Sequence, residues 1–372
     1  MEVYKRLGVQ GVINASGRMT NLGGSAIAAD VAQVMAQAGQ DYVEIDELQL
    51  AVGREIAQLI SSEDAMVTTG AAAGIALMVA ACIAGTDLRR VQSLPDALDR
   101  PNEIVIQAGH QVNFGAPVNQ MIAIGGGRPL PIGTVNNVLE QHLISALGPR
   151  TAAFLYVQSH HTVQKGMLPL DHCIEVCRAH NIPVLIDAAA EENLLRYTSS
   201  GAALIAFSGG KAIEGPTSGI VAGRADLIDA CRAQRHGIGR PMKVGKEALV
   251  GLFKAVTMYM KRDADQERRC QSAIVDRLMD GFSSCSSASP TRLRDEAGRG
   301  IERAALQLDR QGAVELTTFL HSGTPPIHPR AHLTNLGVVA FDPRPLSIDD
   351  VDIIVRRVHE YFNQRQTDTT GT

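Results

Sequence analysis

Residues 207–219 read FSGGKAIEGPTSG, a lysine set among glycines directly after the apolar run ALIAF at 203–207. Glycine stands where the backbone needs unusual φ values or where another group approaches it closely, so Lys211 sits beside a tight turn or a ligand. A phosphate-binding P-loop would need a glycine five residues before the Gly-Lys pair and Ser or Thr after it. This chain has Ile205 and Ala212 there, which excludes that motif. Two readings remain at this point: a lysine that attaches a cofactor or acts as a base, and a plain surface lysine in a turn.

The surrounding chain supplies the frame. Short apolar runs alternate with helix-like segments: AMVT (65–68), EIVIQ (103–107), MIAI (121–124), AAFLYV (152–157), PVLID (183–187), ALIAF (203–207) and GIVAG (219–223). Continuous rather than alternating hydrophobicity marks strands buried on both faces, and intervening helices mark parallel crossovers. The fold class is α/β. The link from Phe207 to Gly219 is too short for a helical crossover, so the strand after it runs antiparallel. A helical tract follows from about Lys246 to about Met279, and SSCSSASP (283–290) breaks it. A second, smaller α/β region ends in the amphipathic segment SIDDVDIIVRRVHEYF (347–362).

Bulk properties narrow the partners. The 372 residues carry a net charge of -4 and are 45% hydrophobic. That length accommodates two domains. Slight acidity without a basic cluster argues against nucleic acid, which is held by grouped Lys and Arg. The longest apolar stretch, AAAGIALMVAACIAG (71–85), is short for a membrane span and reads as a buried helix. The N-terminus MEVYKRLGVQG shows no apolar export signal, so a cytoplasmic location is expected, with the six cysteines as reduced thiols. Cys173 and Cys177, with His172 and His180 nearby, lack a second ligand pair at zinc-like spacing, and no metal is expected.

Three segments concentrate chemistry at strand C-termini, where open α/β sheets place ligands. In MVTTGAAAG (66–74), the turn Thr69-Gly70 opens a helix at Ala71, which is either an anion site made of free N–H groups or an ordinary helix start. In PVLIDAAAEENL (183–194), Asp187 ends a buried strand and needs a cationic partner or a capping role. Lys211, preceded by Ser208, follows one short strand later. A phosphate cradle, an acid to hold a protonated pyridine and a lysine to form a Schiff base are together what pyridoxal 5'-phosphate requires. On this reading the glycines give the cofactor room.

Those residues carry a resemblance. GVINASGRMTNLGG (11–24), TTGAAAG (68–74), LIDAAAEEN (185–193), FSGGKAIEGPTSGIVAG (207–223) and SGTPPIHPR (322–330) resemble the SelA-like family of fold type I pyridoxal-phosphate enzymes. The resemblance implies a seven-stranded, mostly parallel sheet in a large domain at 48–245. It also implies an N-terminal arm at 1–47 and a small C-terminal α/β domain at 246–372, with a disordered tail from about 365. A homodimer or higher homo-oligomer is implied as well.

By position, Lys211 would carry the cofactor, Asp187 would pair with its pyridine nitrogen, and Thr69, Gly70, Ala71 and Ser208 would hold its phosphate. His110, in AGHQVNFG (108–115), falls where the family sets a side chain against the ring, or is simply a polar residue ending a strand. Arg330 falls where an arginine for the substrate carboxylate is often kept, or is a surface residue in a proline-bracketed loop. The selenium transferase that names the family has an extra N-terminal domain for seryl-tRNA, and the chain starts close to the catalytic core, so tRNA binding is not expected. LHSGTPPI also places His321 where the transferase would be expected to carry an arginine.

The chain thereby looks closer to the short members, which resemble D-glucosaminate-6-phosphate ammonia-lyase. In SHHTVQKGMLPL (159–170), His160, His161 and Lys165 are candidates for a substrate phosphate or for proton donation, or form a satisfied loop. Arg18, Arg240 and Lys243 are further candidates for an anionic substrate. The expected activity is an α,β-elimination from a hydroxylated amino acid or 2-amino sugar acid, D-glucosaminate 6-phosphate among them, giving a 2-keto acid and ammonia. The alternatives are a selenium-transferase-like β-replacement or a racemase on a small amino acid, and a non-catalytic binding protein for the cofactor.

Overall fold

A computed structural model describes residues 2–159, 161–285, 288–295 and 299–370. Its strands are, in chain order, β1 (Ile13–Ala15), β2 (Asp64–Thr68), β3 (Glu103–Gln107), β4 (Arg128–Ile132), β5 (Thr151–Val157) and β6 (Val184–Asp187). They continue with β7 (Leu204–Ser208), β8 (Gly219–Gly223), β9 (Ser289–Arg294), β10 (Glu302–Gln307), β11 (Ile327–Pro329) and β12 (Val338–Phe341).

The unit formed by residues 27–261 holds a seven-stranded sheet in the order β2-β8-β7-β6-β5-β3-β4. Every pair in it is parallel except β7 with β8 and β8 with β2. The apolar runs are continuous because each strand feeds two cores. Phe154, Tyr156, Ile186, Ile205 and Phe207 pack on one face, and Leu155, Val157, Leu185, Leu204 and Ala206 pack on the other. The helix Ala71–Ala84 lies against the second face and is buried almost all round. Each of its large apolar side chains, such as Ile75 and Met78, contributes about 1.5–3 kcal/mol of burial.

One expected strand is corrected. MIAI belongs to the helix Val118–Ile124, whose Val118 and Ile122 are buried four residues apart. The seventh strand is instead RPLPI, β4, at the sheet edge. Pro129 and Pro131 are tolerated there because an edge strand has one side free of ladder bonds.

The helical tract after Lys246 is two helices, Lys246–Tyr259 and Ala264–Phe282. The second starts where the Asp263 side chain accepts from the Asp265 and Gln266 N–H groups. Compact units also divide the chain at 26/27 and 261/262 rather than at 47/48 and 245/246. The helices Ala29–Gln40 and Lys246–Tyr259 stay with the large sheet because Val31, Leu249, Leu252 and Val256 share its core.

The second unit combines residues 1–26 with 262–372. It contains the parallel pair β1/β11 and the antiparallel sheet β12-β10-β9. Its core gathers Ile13, Leu278, Phe282, Leu306, Phe341 and Val358. The last helix runs Ile348–Thr370, past the point where a disordered tail was expected. Val351, Ile354 and Phe362 anchor this helix to the core of the unit, and Arg365 donates to the Tyr361 hydroxyl at 3.2 Å. No described helix is long and apolar enough to cross a membrane.

Candidate active site

The sheet order sets the site. Thr68 ends β2 and pairs with Gly219, which pairs in turn with Ser208 at the end of β7. Asp187, at the end of β6, is in register with Ala206 of β7 and Val157 of β5. Neighbouring strands lie about 5 Å apart. Residues from four separate sequence segments therefore form one row along the C-terminal sheet edge.

At the β2 end, Gly70 caps the helix Ala71–Ala84 with no side-chain bond, so the first helical N–H groups point outward unfilled by any described side chain. Thr68 Oγ1 donates to the Gly70 carbonyl at 2.9 Å and holds the turn. Space beside the Gly70 Cα is open for 4 Å. Behind the turn the packing is close: a Cβ at Gly219 would lie 2.6 Å from Gly70 C and 2.8 Å from Ala71 N. Only glycine fits under the cradle.

Asp187 is 4% exposed. One carboxylate oxygen accepts from the Ala189 N–H at 3.1 Å. Burial pushes the carboxyl up to about 6; the Ala189 bond and the Lys211 charge oppose the rise, and Glu191 adds to it. Glu191 was not singled out from the sequence. It lies four residues on, buried, accepting from the Tyr197 hydroxyl at 2.7 Å. A spacing of six residues carries no helical or strand signal for the pair.

Lys211 is half-buried in the turn that links β7 to β8. Gly209 N–H donates to Ser218 O and Gly215 N–H donates to Gly209 O, each at 2.8 Å, so the turn is tied back on itself. Glu214 takes a φ of 56°, a left-handed conformation that a side chain adopts at a cost of about 1–3 kcal/mol. A Cβ at Gly209 would come 2.2 Å from Ser218 Oγ and 2.7 Å from Leu252 Cδ1, so close chain packing requires glycine there, whereas a Cβ at Gly210, beside Lys211, would meet nothing nearer than 3.7 Å.

His110 follows β3 and is fully buried. Its Nδ1 accepts from the Val157 N–H at 3.3 Å, and its ring meets Tyr156 edge-on at 4.6 Å. Nε2 is buried with no hydrogen-bond partner among the described residues. Burial pulls the ring's pKa down to about 4, so it is neutral near pH 7.

His161 and Lys165 are exposed on the loop after β5. That loop is tied to the His110 turn by Val163 N–H donating to Gly109 O at 3.1 Å. His160 lies outside the described residues. Arg240 and Lys243 are exposed in the large unit after β8. Arg18 and Arg330 belong to the other unit, where each follows one strand of the parallel pair β1/β11; Arg330 exchanges backbone bonds with Ala340. Cys173 and Cys177 are buried in the helix Leu170–Ala179, and burial pushes the Cys177 thiol up to about 12. His172 pairs with Glu140 at 2.8 Å.

These residues fit pyridoxal phosphate on structural grounds. The open helix N-terminus suits a phosphate. A buried carboxylate with an elevated pKa suits a protonated pyridine nitrogen, and the unpartnered donor of a neutral, buried His110 suits a polar ring substituent.

The comparisons with known proteins agree. A family model described as "SelA: L-seryl-tRNA selenium transferase" matches residues 12–299. The chain is 43% identical to a 5'-C-glycyluridine monooxygenase-decarboxylase of a Streptomyces species, over 99% of this chain and 94% of the relative. It is 39% identical to a D-glucosaminate-6-phosphate ammonia lyase of Salmonella typhimurium, over 96% of this chain and 97% of the relative. A solved D-glucosaminate-6-phosphate ammonia-lyase superposes with a TM-score of 0.91 at 38% identity, covering 97% of this chain and 98% of that one. An Asp and a Lys on adjoining strand ends, a bare helix N-terminus beside them and full-length similarity lead to one assignment: the chain belongs to the SelA-like family of fold type I pyridoxal-phosphate enzymes.

Proposed function

We propose that this protein is a pyridoxal-phosphate-dependent ammonia-lyase that converts a hydroxylated 2-amino sugar acid, D-glucosaminate 6-phosphate being the candidate, to a 2-keto acid and ammonia. The observation that carries this reading is the Asp187–Lys211 arrangement beside the open turn at Gly70, on a chain that superposes on such a lyase with a TM-score of 0.91.

When bound, the cofactor supplies an electron sink for the negative charge left at the substrate Cα. The Ala71 N–H group and its helix, with Thr69 and Ser208, would hold the phosphate. Asp187 would hold the proton of the pyridine nitrogen. Lys211, in its neutral form, would take the substrate Cα proton. Loss of the β-hydroxyl needs a proton at that oxygen, for which Lys211 and His161 are the candidates. The enamine product adds water and releases ammonia, so one water leaves and one returns. Arg330, Arg18, Lys165 and Arg240 are the candidate substrate ligands, since guanidinium and ammonium groups suit carboxylate and phosphate. A cytoplasmic homo-oligomer accords with this reading. Tyr42, Val43 and Ile45 are exposed on the large unit, as an interface would require.

A second reading rests on the 43% identity to the glycyluridine enzyme. It keeps Lys211 and Asp187 in place but consumes dioxygen and releases carbon dioxide. Product analysis separates the two. Equimolar keto acid and ammonia from D-glucosaminate 6-phosphate, without oxygen uptake, supports the lyase. Oxygen uptake with carbon dioxide from a glycyl nucleoside supports the alternative. A β-replacement releases no ammonia, a racemase releases neither product, and a binding protein exchanges no Cα hydrogen with solvent deuterium.

A further inference from the structure

Asp187 is the first of two buried carboxylates on one short turn. The turn leaves β6 with Ala188 N–H donating to Ala206 O at 2.9 Å, folds so that Ala189 N–H donates to the Asp187 carboxylate at 3.1 Å, and closes with Glu191 N–H donating to Ala188 O at 3.1 Å. The Tyr197 hydroxyl holds Glu191 inside by donating to it at 2.7 Å. Burial, then the Glu191 bond, pushes the Tyr197 phenol up, so the hydroxyl stays the donor and the carboxylate the acceptor at neutral pH. The pair is not needed to start the helix Leu194–Thr198, because Asn193 Oδ1 already accepts from Arg196 N–H at 3.1 Å. Around the turn, Lys211 comes from the β7–β8 link, Tyr156 from β5, and the Tyr259 hydroxyl donates to the Glu192 carbonyl from the helix Lys246–Tyr259. Arg196 is exposed, 5.6 Å over the Tyr197 ring, and Glu192 is half-buried. Among the described residues Lys211 is the cation that balances Asp187, and attachment of the cofactor removes it as a free ammonium.

We propose that Glu191 is a positioning residue for the ring proton: acting through Asp187, its fixed negative charge keeps a proton on the pyridine nitrogen once Lys211 carries the cofactor. The reason is charge balance. Asp187 and Glu191 bring two negative charges into one buried turn, and a protonated ring nitrogen returns one positive charge to it. A purely structural role would be served as well by an apolar side chain, since a buried carboxylate costs stability. Tyr197 fixes the carboxylate in place, so its charge acts at a constant distance. No bond from Glu191 to the cofactor is required. The role rests on Asp187 as the partner of the pyridine nitrogen, and it holds whichever reaction the site performs.

The test loads the protein with pyridoxal phosphate isotope-labelled at the ring nitrogen and follows that nitrogen by NMR against pH, which reads its protonation directly and needs no turnover. Glu191→Gln removes the charge and keeps an oxygen for the Tyr197 hydroxyl, Glu191→Ala removes both, and Glu191→Asp keeps the charge. In the two neutral variants the ring nitrogen is expected to lose its proton about one pH unit below wild type, a ten-fold loss of proton affinity, the scale of one charge acting across several ångströms of protein interior. Glu191→Asp should stay within about three-fold of wild type in the same measurement. The Ala and Asp variants decide the matter even where the Gln variant fails to fold. Neutral variants that titrate with wild type overturn the proposal, because the charge then does not reach the ring. An equal shift in all three variants also overturns it, since the geometry of the turn and not the charge is then what matters. Asp187→Asn separates failure of the pairing itself: a protonated ring nitrogen that survives this change shows that Asp187 does not hold it, and the role of Glu191 falls with that assignment.

Discussion

The Val157 N–H donates to His110 Nδ1 at 3.3 Å, which fixes the neutral ring as the tautomer with hydrogen on Nε2 and leaves that donor buried without a partner among the described residues. The group is held for something outside the chain. With a pKa of about 4, His110 should not titrate between pH 5 and 9. His110→Phe keeps the ring face but removes the Nε2 donor and should weaken the cofactor about three-fold, the scale of one hydrogen bond. His110→Ala should weaken it about ten-fold, the upper end of what an aromatic contact supplies. Fluorescence titration of the cofactor into stripped protein measures both. Equal losses in the two variants would show that the ring face plays no part.

Asp187 sets a pH-dependent cost in the cofactor-free protein. Its folded pKa of about 6 lies above the ordinary aspartate value of 3.8, so between the two folding takes up a proton. The stability this group contributes is present below about pH 4 and is lost as pH rises through 6, a swing of about 3 kcal/mol at most. Stripped wild type should therefore lose stability between pH 4 and pH 7 relative to Asp187→Asn, by a few degrees in Tm. Adding cofactor should reverse the ranking at pH 7. Parallel melting curves for both stripped proteins across that window would count against a carboxyl whose pKa burial has raised.

Gly219 supports the cradle from beneath. A methyl group there would lie 2.7 Å from Thr68 Oγ1 and 2.8 Å from Ala71 N, so the turn must move. Gly219→Ala should lower stability by about 1–3 kcal/mol and raise the cofactor Kd more than ten-fold. A melting curve and a cofactor titration on the same preparation test it. Unchanged affinity would mean that the turn does not hold the phosphate.

In the other unit, Asp342 bridges Arg303 at 2.8 Å and Arg344 at 2.9 Å, and Asp295 takes the second side of Arg303 at 2.8 Å. The arginines hold both carboxyls well below the usual range. Asp342→Asn strands charge beside the buried Arg303 and should destabilise this unit by about 3–5 kcal/mol. The double variant Asp342→Asn, Arg303→Met should be less destabilised than the single one. Denaturant unfolding of all three proteins decides whether the pair is coupled in this way.

The sequence made the sheet legible where strands are buried on both faces, as at AAFLYV and PVLID, because burial on both sides leaves no room for polar alternation. It misled at the edge. RPLPI carries two prolines and little burial, so its strand identity depends on β3 beside it. Asp187, Lys211 and the turn at Gly70 were legible because each sits at a strand end with its own local signature. The Glu191–Tyr197 pair was not. The two lie six residues apart, on either side of the start of the helix Leu194–Thr198, a spacing at which neither a helix nor a strand brings two side chains together.

The attachment of the cofactor to Lys211 is the claim on which the rest depends. Borohydride reduction of the cofactor-loaded protein, followed by proteolysis and mass mapping, reads it directly. The expected result is one pyridoxyl label, on the peptide containing Lys211, and none in Lys211→Ala. A label on another lysine, or none in wild type, contradicts the account.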